Sequence, residues 1–94
     1  LTASYDFVWF AFVIEHIYDP YGALVNCVRM LRSQGRLLLC YPTAYPYHAD
    51  PIDLYRFMPG YGEKIAERLN LSILAKEEIE AQGKAAELLL YHKP

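Results

Sequence analysis

The stretch "YDFVWFAFVI", residues 5–14, decides the fold. It is an almost unbroken apolar run bounded by polar residues, and β-branched and aromatic side chains dominate it. That composition marks a strand covered on both faces, as in a parallel sheet. Trp9, between Val8 and Phe10, is expected in the core. The run falls far short of the ~20 residues that a membrane-spanning helix needs. No basic segment precedes it, so it does not read as a secretory signal.

Working outward, "EHIYDPYGALVNCVRMLRSQG" follows directly. Asp19 can accept hydrogen bonds as an N-cap, and Pro20 suits the first helical position. Leu24, Cys27, Val28 and Leu31 recur at helical spacing and give one apolar face. Arg29 and Arg32 stand near the end, where the helix dipole favours cations, and Gly35 marks the stop. "RLLLCYP" then reads as a second buried strand. Strand, helix, strand with a connection of this length is a parallel crossover unit.

Thr43 to Pro59 is a long loop rich in proline and aromatics. Within it, "HADPIDLYRF", residues 48–57, concentrates one His, two Asp, one Arg and one Tyr at the exit of the second strand. Long loops inside compact domains are usually functional or disordered, and the aromatics Tyr45, Tyr47, Tyr55 and Phe57 argue for order. A second helix is expected from about Gly60 to Asn70, with Ile65 and Leu69 facing inward. "LSILAKEEIEA" alternates only loosely and fits strand or helix; the turn signal "QGK" and the apolar run "AAELLLYH" after it favour strand, and so an antiparallel hairpin. Glu77, Glu78 and Glu80 make its solvated face.

The bulk numbers bound the answer. The chain has 94 residues, 54% of them hydrophobic, and a net charge of −2, which suits one small domain with a real core. Its basic residues are scattered, so there is no electrostatic footprint for nucleic acid. Cys27 and Cys40 sit inside apolar patterns without CxxC spacing and read as buried thiols in a reducing, cytoplasmic setting.

Three ordered patterns carry a resemblance: "YDFVWFAFVIEHIYDPYGAL", "VRMLRSQGRLLLCYP" and "YHADPIDLYRFMPGYGEKI". Together with the final hairpin they resemble the C-terminal half of a class I S-adenosylmethionine-dependent methyltransferase of the broad small-molecule type. The resemblance covers essentially the whole chain. It implies an α/β fold: a partial Rossmann-like sheet made of the family's strands four to seven, in the order 4-5-7-6, the last antiparallel, with two main helices. Residues 1–94 are then one partial methyltransferase domain, and the family's glycine-rich cofactor loop and ribose-binding acid have no counterpart in it. "RSQG" replaces the family's usual Pro-Gly-Gly. Met58 stands where a capping Thr is common, which should take about 1 kcal/mol from the start of the second helix.

Ligands of such sheets bind beyond the carboxyl ends of the parallel strands. Glu15 and His16, at the first exit, are the cofactor-binding candidates or a proton-transfer pair; the bland alternative is a strand exit with solvated side chains. Tyr41, Tyr47, Asp50, Asp53 and Arg56 are candidates for the substrate rim, with Asp53 and Arg56 also able to pair and brace the loop. His48 is the candidate general base, since imidazole titrates near neutrality. Some relatives carry Glu-x-x-Glu-His at the first exit, an oxygen-rich set that a hard divalent cation would want. Here the first Glu position is Phe12, so no metal is expected.

The implied function is S-adenosylmethionine-dependent methyl transfer to a small-molecule acceptor, performed as part of a larger domain. The alternative is an inactive half-domain that acts through association, with a homodimer formed on the first-strand edge. A hydrolase-like or reductase domain lacks support, because neither a Gly-x-Ser-x-Gly elbow nor a Gly-x-Gly-x-x-Gly loop is present.

Overall fold

A computed structural model describes residues 4–47 and 52–94. The elements run β1 (Tyr5–Ala11), a 3-10 turn (Ile14–His16), α1 (Pro20–Met30), β2 (Leu31–Ala44), α2 (Tyr61–Leu69), β3 (Ser72–Ala81) and β4 (Lys84–His92). They build one mixed sheet in the order β1-β2-β4-β3. β1 and β2 are parallel, and β4 runs antiparallel to both β2 and β3. This is the 4-5-7-6 arrangement with the last strand reversed.

Local chemistry explains the helix boundaries. Asp19 accepts the Gly22 N–H at 3.0 Å, and Pro20 opens α1. The helix ends at Met30, earlier than Gly35, because Leu31 already has extended backbone and begins β2. A lysine from the far end of the chain completes this end: Lys93 Nζ donates to the carbonyls of Val28 and Leu31 at 2.8 and 2.6 Å. A cation at a helix C-terminus satisfies orphan carbonyls and complements the dipole. α2 stops at Asn70, whose φ of 62° is a left-handed cap that asparagine tolerates.

Both helices pack on one face of the sheet. Leu24 and Cys27 of α1 and Ile65 and Ala66 of α2 join Leu37, Leu39, Leu89 and Tyr91 in a single buried cluster. Each fully buried Leu contributes roughly 2 kcal/mol relative to an exposed one. α2 comes close to the sheet at Gly62, where a Cβ would run into the Leu89 side chain.

The opposite face corrects the reading of β1. Trp9 is 69% exposed and Phe7 48%, so β1 is not covered on both sides and Trp9 is not core. Two facts cause this. β1 is the edge strand, and no helix among the described residues lies over the face that Trp9 shares with its lateral partners Leu38 and Leu90. Val8 and Phe10, on the helix side, do pack against the core.

Candidate active site

The carboxyl ends of β1 and β2 open on the same end of the sheet, and the loop after β2 folds back over the exit of β1. Three bonds stitch the two together. His16 Nδ1 donates to the Ile52 carbonyl, the Leu54 N–H donates to the Glu15 carbonyl at 2.8 Å, and the Tyr55 hydroxyl donates to the Tyr18 carbonyl at 2.9 Å. A fourth, from the Phe57 N–H to the Pro42 carbonyl at 3.0 Å, ties the loop to its own strand. Glu15, His16 and the 52–57 segment thus meet at one end of the sheet, although 36 residues separate His16 from Ile52.

Glu15 is fully buried, so the solvated-exit reading of this position falls. The His16 Nδ1 contact with a carbonyl, which can only accept, assigns the proton to that nitrogen. Its Nε2 then lies 3.5 Å from Glu15 Oε2. A buried carboxylate beside an oriented imidazole is an arrangement that can accept hydrogen bonds from an ammonium or hydroxyl group, or hold a proton. Between the strand and this pair stands Phe12, with φ of 55°. A bulky residue in left-handed backbone is strained, and such strain gathers at functional sites. Its N–H is held by the Cys40 carbonyl at 2.9 Å, and its ring lies 5.5 Å from that of Tyr45.

Arg56 and Asp53 form a bidentate ion pair, with both N–H···O distances 2.7 Å and the Asp53 side chain 1% exposed. The guanidinium also donates to the backbone carbonyls of Tyr45, Tyr55 and Pro46 at 3.0, 2.7 and 2.7 Å. Asp53 holds the Arg56 pKa above its ordinary value. These two residues therefore brace the loop, and they also line a cavity of about 270 Å³ together with Tyr45, Tyr47, Leu54 and Tyr55.

Tyr41 is not at the rim. It is fully buried on the helix side of β2, and its hydroxyl donates to Glu87 Oε1 at 2.5 Å. Burial first, then the bond to Glu87, pushes its pKa up. Alternation explains the placement: Leu37, Leu39 and Tyr41 share the inward face. Tyr47, in contrast, is 76% exposed. His48 and Asp50 lie outside the described residues.

The sequence reading missed Glu87. It is 4% exposed and accepts the Tyr41 hydroxyl and the Gly60 N–H, the latter at 3.0 Å. The Gly62 N–H in turn donates to the Tyr41 oxygen at 2.7 Å. The start of α2 is thus capped from the sheet, and the Met58 position, 78% exposed, is not asked to cap it. A signal was available: Glu87 falls in register with inward-facing Leu89 and Tyr91.

Residues 1–39 match the methyltransferase domain family. Among solved structures, the chain is similar to the cyclase SpnF, with a TM-score of 0.80, 12% identity, and coverage of 99% of this chain and 51% of that one. It is also similar to the Burkholderia thailandensis 1,6-didemethyltoxoflavin-N1-methyltransferase, solved with that compound and S-adenosylhomocysteine (TM-score 0.76, 16% identity, 98% and 45% coverage). A SAM-dependent methyltransferase from Archaeoglobus fulgidus gives a TM-score of 0.69 at 12% identity, with 98% and 61% coverage. Comparison with curated proteins gives no match. The chain carries a class I methyltransferase-like fold and spans about half the length of the structures it resembles. A neighbour described as a cyclase shows that the fold alone does not fix the reaction. Among the described residues, no helix is long and apolar enough to cross a membrane.

Proposed function

We propose that this chain supplies the acceptor side of an S-adenosylmethionine-dependent methyl transfer to a small molecule, within a larger catalytic domain. The observation that carries the proposal is the joining of the two strand exits: a buried Glu15, an oriented His16 and the braced loop meet beyond the carboxyl ends of parallel strands. The polar pair at the first exit suits the ammonium and hydroxyl groups of that cofactor. When bound, the cofactor supplies an electrophilic methyl group. The chain's own residues then have two tasks. They hold the acceptor in line, which can by itself lower a barrier by several kcal/mol, and they take a proton from it where the acceptor needs one. Tyr47, Asp50, Asp53 and Arg56 are assigned to the rim, the last two as its brace, and His48 is the residue assigned as base.

Calorimetric titration of the folded protein with S-adenosylmethionine and S-adenosylhomocysteine tests this. Saturable binding that is weakened at least tenfold by Glu15→Ala supports it. A folded protein that binds neither compound at millimolar concentration sinks it for this chain.

A second reading is favoured by one observation, the bare aromatic row on β1. In it the chain acts through self-association, with the β1 edges of two copies pairing. Sedimentation showing a stable monomer at micromolar concentration would remove that reading.

A further inference from the structure

We propose that the cavity between Tyr45, Tyr47, Tyr55 and Arg56 takes a neutral, electron-rich aromatic ring, held by stacking and not by charge. This deepens the acceptor reading above by naming the class of acceptor, and it rests on that reading for its catalytic meaning.

The argument starts from the guanidinium. It has five N–H donors, all in its own plane. Each has a partner: Nε on the Tyr45 carbonyl, one terminal nitrogen on Asp53 and the Tyr55 carbonyl, the other on Asp53 and the Pro46 carbonyl. The edge of the group is therefore saturated, and its charge is answered by a carboxylate. What it still offers to a cavity it lines is its flat face. A planar cation with its edge occupied stacks on aromatic rings. An anion, which would need free in-plane donors, finds none on this guanidinium.

The other walls point the same way. Tyr45 is backed by Phe12, with ring centroids 5.5 Å apart, and Tyr55 is backed by Phe57 at 5.8 Å. Both rings are thus packed against a second ring. Tyr55 is further fixed by its hydroxyl bond to the Tyr18 carbonyl. Rigid aromatic walls bind with little loss of side-chain freedom. Tyr47 is 76% exposed and stands as a side wall able to close on a guest. The volume, about 270 Å³, falls just under the roughly 300–1,000 Å³ of pockets that hold drug-sized ligands, so the guest is a single small ring system. A guanidinium that meets its guest through its flat face favours electron-rich rings over electron-poor or positively charged ones.

The test uses probes of one size and different chemistry: phenol and indole, cyclohexanol, benzoate and benzylammonium, each titrated into the protein and read by saturation-transfer NMR. Phenol and indole are expected to bind at least fivefold more tightly than cyclohexanol, benzoate or benzylammonium. Tyr47→Ala, at an exposed position that leaves the fold intact, is expected to weaken indole at least fivefold and leave the thermal midpoint unchanged. Benzoate binding as tightly as phenol would overturn the proposal, because it would mean free donors. Cyclohexanol equal to phenol would overturn it as well, because it would mean apolar burial without stacking, and so would the absence of saturable indole binding. Parallel titration with S-adenosylhomocysteine separates the two readings. Indole binding without cofactor binding leaves the cavity assigned and removes methyl transfer; the reverse removes the cavity and leaves methyl transfer.

Discussion

The two edges of the sheet are built on opposite plans. The outer edge, β3, carries Lys76, Glu77, Glu78 and Glu80, and Lys76 Nζ reaches α2 through Glu63 Oε2 at 2.5 Å. Charged edges resist pairing with other chains. The other edge, β1, carries Tyr5, Phe7 and Trp9, at 52%, 48% and 69% exposure. The ion pair of Asp6 with Arg32 at 2.9 Å is itself exposed. The β3 edge is charged and fastened to a helix by polar side chains, although its Ile73, Leu74 and Ile79 are also 40%, 47% and 44% exposed. The other has the composition of an interior strand. The difference teaches that exposure and design are separate matters: β1 is an edge by position and a central strand by chemistry.

The largest expected effect lies on the fastened side. Glu87→Ala leaves the buried Tyr41 hydroxyl and the Gly60 N–H without their acceptor. Each stranded group is worth about 1–3 kcal/mol, so urea unfolding should lose roughly 3 kcal/mol. Tyr41→Phe combined with Glu87→Leu should not recover that loss, because the Gly60 and Gly62 N–H groups are then both left without their acceptors. If Glu87→Ala unfolds within about 0.5 kcal/mol of the parent, the polar clasp is ornament and the contrast between the two sides weakens.

Next comes the bare side, where a more radical change should matter less to folding. Trp9→Lys puts a charge on β1, yet at 69% exposure it should shift stability by no more than about 0.5 kcal/mol. Its effect belongs to association. If copies pair on this edge, sedimentation should show the variant at least tenfold weaker in self-association, about 1.4 kcal/mol, with Glu77→Lys on β3 unchanged. Equal association for both variants would place any contact elsewhere.

These contrasts also mark how far the sequence could be read. The crossover, the Asp19–Pro20 helix start and the hairpin were legible because each rests on local chemistry: periodicity, a cap, a turn; the strand order was an expectation from the family resemblance. The exposure of Trp9 was not, because an apolar run records the chemistry a strand was built for and is silent on whether a layer covers it. At the site, the candidates Glu15, His16, Asp53 and Arg56 come together at the strand exits, with the Glu15 and Asp53 side chains buried. The sequence reading misplaced Tyr41 and passed over Glu87 for a shared reason. Their bond joins residues 46 positions apart, and no local pattern announces such a pair. The saturation of Arg56 was equally hidden, since three of its five partners are backbone carbonyls, which every residue has.

The smallest expected effect tests whether the fastened edge is held electrostatically. The Lys76 ammonium, hydrogen-bonded to Glu63, holds the Glu63 carboxyl below its ordinary range, and Glu63 holds Lys76 above its own. A carboxyl depressed in the folded state adds stability above its unfolded pKa and loses it as pH falls through the folded value. A raised ammonium does the reverse: its contribution is present below the unfolded pKa and is lost as pH rises through the folded value. The pair is therefore whole across neutral pH and fails at both extremes. Its size is small, because the Glu63 side chain is 38% exposed and the Lys76 side chain 24%, and solvent screens such pairs to about 0.5 kcal/mol. Between pH 7 and pH 3 the parent should lose about that much more than Glu63→Gln in urea unfolding, and 1 M salt should halve the difference or better. Identical pH profiles for parent and variant would mean that packing alone holds β3 to α2, and that its charges serve only to keep other strands away.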